Sequence, residues 1–564
     1  MTGARVLLIN PPALPGTTVN REGAAGFGAV YPREGAFLYP PHTLAVCAAL
    51  LRSDGRIPAV IDAAAEQISP REALERAAEF DPQYLVVQVC WPAWEADLAF
   101  CRAARARFPK APLIVFGTIL RHGEFAAQAA ACADMVLVGE PERALPAAVE
   151  RVQRVKEGPA PVITAPELAP QDYDEQGYLH DIESLPPPAW ELTPWKRCGF
   201  LSVLSSRGCD QSCVYCPYVV GWGRRFRACG PARVREELRW LKERFAPARV
   251  MFRDPVFGRD RERAAGICDA LQREHLPMLW ECESRPEHFD PDLLRLMGRA
   301  GCGRVKIGLE SVEPARLVRL GRTANTAQAE EYVEQARRAA AGCREAGIRS
   351  HVYVMVGWSD AQPGEIERLG AFLRELGADD VSVKPAEVYP LTAWMGSAPV
   401  DASAAERQAE LLAQMLPPGT EAAPLRPAAG HQHYAEEPGM KALVTGATGF
   451  VGMWVARLLL EEGTQVRVLV RPGSDRRNLA GLDVEFVEGD LREPESLAEA
   501  LAGCDELYHV AALYSTREED APLMYEVNVG GTKAILNAAR RAGVRRVVHT
   551  STIGTIGRPA DGSL

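Results

Sequence analysis

Short β-branched runs alternate with helix-spaced, Ala-rich stretches along nearly all 564 residues. That alternation is the strongest constraint on the fold. Strands joined through helices pair in parallel, and parallel sheets are buried on both faces, so their strands read as near-continuous apolar runs. Residues 1–155 hold five such runs: RVLLIN (5–10), PAVID (58–62), YLVVQV (84–89), LIVFG (113–117) and MVLVG (135–139). Helical spacing fills 43–52, 70–80 and 96–108 between them. This predicts a doubly wound sheet, whose ligands sit at the carboxyl ends of the strands. Those ends carry Asn10-Pro11-Pro12, Cys90-Trp91-Pro92, Gly117-Thr118 and Gly139-Glu140.

Residues 156–195 are rich in proline and acid and end in Leu185-Pro186-Pro187-Pro188-Ala189-Trp190, a stiff linker by composition. A second alternation covers 196–395, with strands expected at 200–204, 249–253, 278–283, 304–309, 351–356 and 381–387. Six βα units in series predict a barrel or part of one, a partial (β/α)6 arrangement with its functional loops after the strands. Residues 396–439 read as a helix and then a linker, and at Met440 a third α/β pattern opens and runs to Leu564. The fold class expected is therefore α/β throughout, in three modules.

A net charge of −10 provides no global basic field, so nucleic acid is not an expected partner. No apolar run reaches the roughly 18 residues that span a bilayer, and the N-terminus lacks the build of a secretory signal. The expected compartment is the cytoplasm. In a reducing compartment, fourteen cysteines raise the question of which few ligate metal.

Three stand together in SSRGCDQSCVYCPY, as C-x₃-C-x₂-C at Cys209, Cys213 and Cys216, just after the first strand of the second module. So short a loop can bring three thiolates around one inorganic centre and leave the fourth iron of a [4Fe–4S] cubane open. A structural zinc site with Cys198 or Cys229 as fourth ligand is the other reading of the same thiols. The spacing, the aromatic Tyr215 and the place after the first strand resemble the radical S-adenosylmethionine superfamily. That resemblance implies that the open iron chelates S-adenosylmethionine and that electron transfer yields a 5′-deoxyadenosyl radical. An electron donor such as flavodoxin or ferredoxin is then expected. Gly308-Leu309-Glu310-Ser311 resembles the superfamily segment that contacts the ribose. Glu283 and Arg285 could hold polar groups of the cofactor from the third strand, or be solvated strand-end charges. Arg253-Asp254 fits catalysis or structure equally. The remaining cysteines are expected as small buried apolar residues.

A doubly wound domain directly before such a barrel resembles the cobalamin-binding subclass, over residues 1 to about 400. The INPP opening and the VGEPE segment (138–142), where the subclass often has a GEGE-like turn, carry that resemblance. It implies cobalamin, methyl transfer to an unactivated carbon, or a rearrangement there. The Asp-x-His-x-x-Gly motif that supplies a cobalt-ligating histidine is absent; His42 and His122 have other surroundings. A domain that only packs on the barrel is the alternative.

In the third module the strand at Lys441–Thr445 runs into Gly446-x-x-Gly449-x-x-Gly452, with Phe450 and Val451 opening a helix over 450–462. Such glycines let a pyrophosphate approach the backbone N–H groups at a helix start. Arg471, Asp490-Leu491, His509-Val510-Ala511-Ala512 and Asn528-Val529-x-Gly531-Thr532 follow in order. Together they resemble the extended short-chain dehydrogenase/reductase family, of nucleotide-sugar epimerase and hopanoid-associated sugar epimerase type. The resemblance implies an NAD(P)-binding Rossmann domain; Arg471 in place of the usual acid favours NADP, or is a surface arginine. Thr552 falls where the catalytic hydroxyl belongs, but the family's Tyr-x-x-x-Lys would come later than Leu564. The expectation is a truncated domain without epimerase activity of its own.

The combined expectation is a cobalamin-dependent radical S-adenosylmethionine enzyme acting on a small-molecule or lipid substrate, with polycyclic triterpenoid lipid one substrate class by association. The alternatives are a nucleotide-sugar epimerase or reductase with an accessory N-terminal part, and an appended domain that binds NADP without turnover.

Overall fold

The computed structural model describes residues 3–33, 37–153, 160–274, 276, 278–395, 400–416, 441–461, 464–513 and 517–550. They divide into two compact units, one within 1–432 and one within 433–564.

In the first unit, β1 (Arg5–Asn10) is followed by a small antiparallel hairpin, β2 (Thr17–Asn20) and β3 (Ala29–Pro32). Five more strands complete a parallel sheet: β4 (Ile57–Asp62), β5 (Tyr84–Gln88), β6 (Leu113–Phe116), β7 (Met135–Val138) and β8 (Val162–Thr164). The order is β4-β1-β5-β6-β7-β8, doubly wound as expected. The winding of the strands reverses between β1 and β5, where such sheets bind ligands. Helices follow the usual start signals: Ser69 caps Pro70–Phe80 through the N–H of Glu72, with proline in the first turn.

The stretch 156–195 departs from the expected linker. It supplies the edge strand β8, and Tyr173, Leu179, Ile182, Leu185 and Trp190 lie in the main hydrophobic core. Proline-rich composition signalled stiffness, but the alternating Tyr, Leu, Ile and Trp side chains bury enough apolar surface to fix the segment against both sheets.

The second sheet of this unit is built from β9 (Leu201–Val203), β12 (Val250–Phe252), β13 (Trp280–Ser284), β14 (Cys302–Glu310), β15 (Arg349–Val356) and β16 (Asp380–Pro385). Between β9 and β12 lies a two-residue antiparallel pair, β10 (Ser206–Arg207) and β11 (Arg227–Ala228). All six strands are parallel and stand in sequence order, with β9 and β16 as edges, so the partial barrel is an open one. One continuous core runs beneath both sheets, from Val6 and Leu44 through Trp190 to Leu201, Val305 and Val352.

Buried ion pairs join the segment after β7 to the β10–β11 pair. Arg207 pairs with Glu142 at 2.6 Å and Glu140 at 3.4 Å, and Arg227 with Glu140 at 2.8 Å. The VGEPE segment, which stands where the cobalamin-binding subclass often has a GEGE-like turn, contributes its two carboxylates to this junction.

The second unit contains β17 (Lys441–Thr445), β18 (Gln465–Val470), β19 (Val484–Glu488), β20 (Glu506–His509) and β21 (Arg546–His549), in the order β19-β18-β17-β20-β21. This is the strand order of a Rossmann half and its neighbours. Among the described residues no helix is long and apolar enough to cross a membrane.

Candidate functional site

The cysteine loop leaves the carboxyl end of the β9 edge and is pinned on two sides. Gly208 has φ +81°, and a Cβ there would stand 2.0 Å from the Arg225 carbonyl oxygen; only glycine takes that conformation without strain. The N–H of Cys209 donates to Gly223 O at 3.1 Å. On the other side the N–H of Val214 donates to Leu320 O at 3.1 Å, and Ser212 Oγ to Gly321 O at 3.0 Å. Gly321 has φ +66°, and a Cβ there would lie 2.3 Å from the Ser212 carbonyl oxygen.

Cys209 and Cys213 are buried and Cys216 is half-buried. Burial pushes the Cys209 and Cys216 thiols up, and the neighbouring cysteines add to it: Cys213 at Cys209, and both Cys213 and Cys209 at Cys216. The three thiols therefore share one electrostatic neighbourhood. Among the described residues no group of three or more His, Cys, Asp or Glu side chains is arranged to hold a metal ion. The alternative fourth ligands lie in other surroundings. Cys229 Sγ faces Ile182 O at 3.8 Å within the main core. The charged neighbour that raises the Cys198 thiol, after burial, is Asp62.

Behind the loop stand the expected residues of β13 and β14. Arg285 Nη1 donates to Cys213 Sγ at 3.4 Å, and its Nη2 to Arg322 O at 2.7 Å. Glu310 pairs with Arg322 and holds φ +69°, a left-handed conformation unusual for a glutamate. Tyr332 hydrogen-bonds to Gly308 O. Glu283 accepts from the Tyr218 hydroxyl at 3.1 Å, which ties β13 to the residue two positions after Cys216. Burial, and then the Glu283 carboxylate, push the Tyr218 hydroxyl up, so it stays a protonated donor. Cys209, Cys213 and Cys216, Glu283, Arg285 and Glu310 thus gather at the carboxyl ends of β9, β13 and β14 in the second sheet.

The Arg253-Asp254 pair makes structural contacts. Asp254 accepts from Ser205 N at 2.8 Å, Ser205 Oγ at 2.7 Å and Ser206 Oγ at 2.6 Å, and so fixes the strand that feeds the cysteine loop. Arg253 pairs with Glu22 at 3.1 Å and lies 4.4 Å from the Tyr39 ring centroid. Sequence reasoning missed Arg322 and Tyr332. Their only sequence signal is Gly321, a glycine just after the short helix Pro314–Arg319, the position where a left-handed turn is common.

At the switch point of the first sheet, Asn10 Oδ1 and Gln88 Oε1 are buried without a hydrogen-bond partner. The link between β2 and β3 crosses nearby strand ends: Thr118 Oγ1 donates to Ala25 O at 2.8 Å and Trp91 N to Phe27 O at 2.9 Å. His42 starts the helix His42–Ser53 edge-on to Trp190, 5.7 Å between centroids, and burial lowers its pKa well below the usual value.

In the second unit the glycine turn is tight. Gly446 has φ +72°, and a Cβ on Gly452 would stand 2.2 Å from Gly446 O. Gly449 N donates to Gly446 O at 3.0 Å, and the helix Phe450–Glu461 starts there with Val451 exposed. Ala511 follows β20 beside Gly446, its N–H 3.2 Å from Thr445 Oγ1, and Ala512 comes next. Arg471 follows β18 directly. Asp490 is ion-paired with Arg492 at 2.8 Å, and Leu491 packs against Gly531. Thr552 lies outside the described residues.

Residues 203–373 match the Radical SAM superfamily, and residues 442–563 match the NAD dependent epimerase/dehydratase family. The chain is 24% identical over 368 residues to an uncharacterized methyltransferase of Pyrococcus horikoshii, covering 63% of this chain and 77% of the relative. The methyltransferase TsrM of Kitasatospora setae, solved with cobalamin and a [4Fe-4S] cluster bound, superposes with a TM-score of 0.52 at 18% identity, over 69% of this chain and 77% of TsrM. That likeness shows a shared fold. The C-terminal part is 50% identical over 118 residues to sterol demethylase protein B of Methylococcus capsulatus, covering 21% of this chain and 36% of the relative. The chain spans about a third of the length of the curated relatives matched by that part. Residues 203–373 thus carry a match to the Radical SAM superfamily, and residues 442–563 a segment matching the NAD dependent epimerase/dehydratase family.

Proposed function

We propose that the chain is a cobalamin-dependent radical S-adenosylmethionine enzyme that transfers a methyl group to an unactivated carbon or rearranges one. The observation that carries this reading is the pinned three-thiol loop at the strand-end mouth of an open parallel (β/α)6 sheet. The donor set suits an iron–sulfur cluster: three thiols on one short loop, two of them buried, each within the electrostatic reach of the others. When bound, such a cluster supplies the electron that cleaves S-adenosylmethionine, and a corrin supplies or accepts the methyl group.

The chain's own residues hold, orient and seal. Cys209, Cys213 and Cys216 are the proposed cluster ligands. Gly208 and Gly321 fix the loop, and Tyr215, tilted against Trp394 at 5.5 Å, closes its inner side. Glu310, held out in its left-handed turn by Arg322, and Glu283, with a single hydrogen bond from Tyr218, are the proposed polar contacts for S-adenosylmethionine. For the corrin, the unpartnered oxygens of Asn10 and Gln88 would accept from its amide-bearing rim, at the place where a doubly wound sheet takes a ligand. In the second unit, Gly446, Gly449, Gly452 and Arg471, with Ala511 and Ala512 beside the turn, are proposed to hold NAD(P). The substrate, and an electron donor such as flavodoxin or ferredoxin, remain proposals of the same reading.

Anaerobic incubation with S-adenosylmethionine and a low-potential reductant tests the chemistry. Formation of 5′-deoxyadenosine together with S-adenosylhomocysteine supports methyl transfer, and 5′-deoxyadenosine alone supports rearrangement. Neither product overturns the reading. Hydroxocobalamin that leaves no corrin absorption on the re-isolated chain removes the corrin from it.

A further inference from the structure

Two guanidinium groups, Arg285 and Arg322, lie buried behind the cysteine loop, with side chains 7% and 9% exposed. One of them reaches a ligand-type sulfur directly, through the 3.4 Å contact from Arg285 Nη1 to Cys213 Sγ. The contact is built. Arg285 Nη2 is held by Arg322 O at 2.7 Å, Nε by Glu287, and the guanidinium lies 5.3 Å from the Tyr332 ring centroid. Arg322 is itself fixed by Glu310 and by the rings of Tyr215 at 5.8 Å and Tyr332 at 6.0 Å. Each of the three nitrogens of Arg285 thus has a partner, and one of those partners is the sulfur.

We propose that Arg285 is a positioning residue whose N–H···S hydrogen bond to Cys213 makes an iron–sulfur cluster on Cys209, Cys213 and Cys216 easier to reduce. The proposal rests on the cluster reading given above. An added electron spreads onto the cluster's sulfurs, so a cationic donor binds the reduced form more strongly than the oxidised one and raises the potential. With little water between the groups, the effect is poorly screened. One electron, from a low-potential external reductant, enters the oxidised cluster. No proton moves and no bond to Arg285 forms or breaks. Glu287 opposes the effect, because its carboxylate offsets part of the guanidinium charge.

The test is a redox titration of the anaerobically reconstituted full chain, poised with dithionite and mediators and read by electron paramagnetic resonance of the reduced cluster. Arg285→Gln should lower the reduced-to-oxidised ratio at a fixed potential at least tenfold, about 59 mV more negative for one electron. Arg285→Lys, which keeps the charge, should move it by less than half as much. Glu287→Gln should shift the potential the opposite way, which keeps the test open if Arg285→Gln loads no iron. An iron-loaded Arg285→Gln protein that titrates with the wild type overturns the proposal, as does an unmoved Glu287→Gln. A wild-type chain that takes up no iron overturns the cluster reading and the proposal with it, a result distinct from an unmoved potential on a loaded chain.

Discussion

Asp62 ends β4 fully buried, with its Oδ1 accepting from the Ala65 N–H at 3.1 Å. Burial raises its pKa to about 6 from 3.8, against the pull of that N–H and of Arg21. A carboxyl raised in the folded state contributes stability that is fully present below its unfolded pKa and is lost as pH rises through the folded one. Near neutral pH the charged form is therefore a liability. Asp62→Asn keeps the cap, and it should raise the melting temperature above pH 6, by up to about 3 kcal/mol in stability. It should change little near pH 4, and thermal denaturation at both pH values checks this. Glu140 is the opposite case: its buried carboxylate holds Arg207 and Arg227 together. Glu140→Ala leaves two buried cations underpaired and should cost about 3–5 kcal/mol, read as a lower melting temperature of the first unit.

At the scale of elements, the turn at residues 320–322 does for the cysteine loop what no residue inside the loop could do alone. Gly321→Ala would force either its own left-handed backbone or the Ser212 carbonyl to move. The expected outcome is a modest stability loss of about 1–3 kcal/mol, with lower iron uptake in anaerobic reconstitution. Full iron uptake would show that the turn does not hold the loop. The strands of both first-unit sheets were legible because a strand buried on two faces must be apolar throughout, as in LIVF of β6 and VMF of β12. The edge strand β8 and the hairpin of β2 and β3 were not. Val162-Ile163-Thr164 is short and sits among prolines, and its burial comes from neighbours distant in sequence. The cysteine loop was legible from spacing. The Arg322–Glu310 pair was not, since nothing local in the sequence marks two charges that meet only once β14 and the turn after the helix Pro314–Arg319 are in place.

For the whole molecule, two parallel sheets share one core, which explains why residues 156–195 read as a linker by composition yet behave as part of the packing. The expected site residues of the first unit come from three strands and meet at the strands' carboxyl ends, consistent with strand-end loops carrying the chemistry of such sheets. In the second unit the glycine turn was legible because its conformation admits almost no other residue. The role of Arg471 was less so, because strand-end arginines serve cofactors and solvent alike. NADPH titration followed by fluorescence should show saturable binding that Gly446→Val abolishes, since its side chain would enter the Ala511 backbone. Equal binding by the variant would place the nucleotide elsewhere.

The central claim is that Cys209, Cys213 and Cys216 hold a cluster, and iron content tests it most directly. After anaerobic reconstitution with iron and sulfide, the wild-type chain should carry roughly four irons, and the protein with all three cysteines changed to alanine should carry none. A single tightly held zinc in the wild type, or iron retained by the triple variant, would contradict the account.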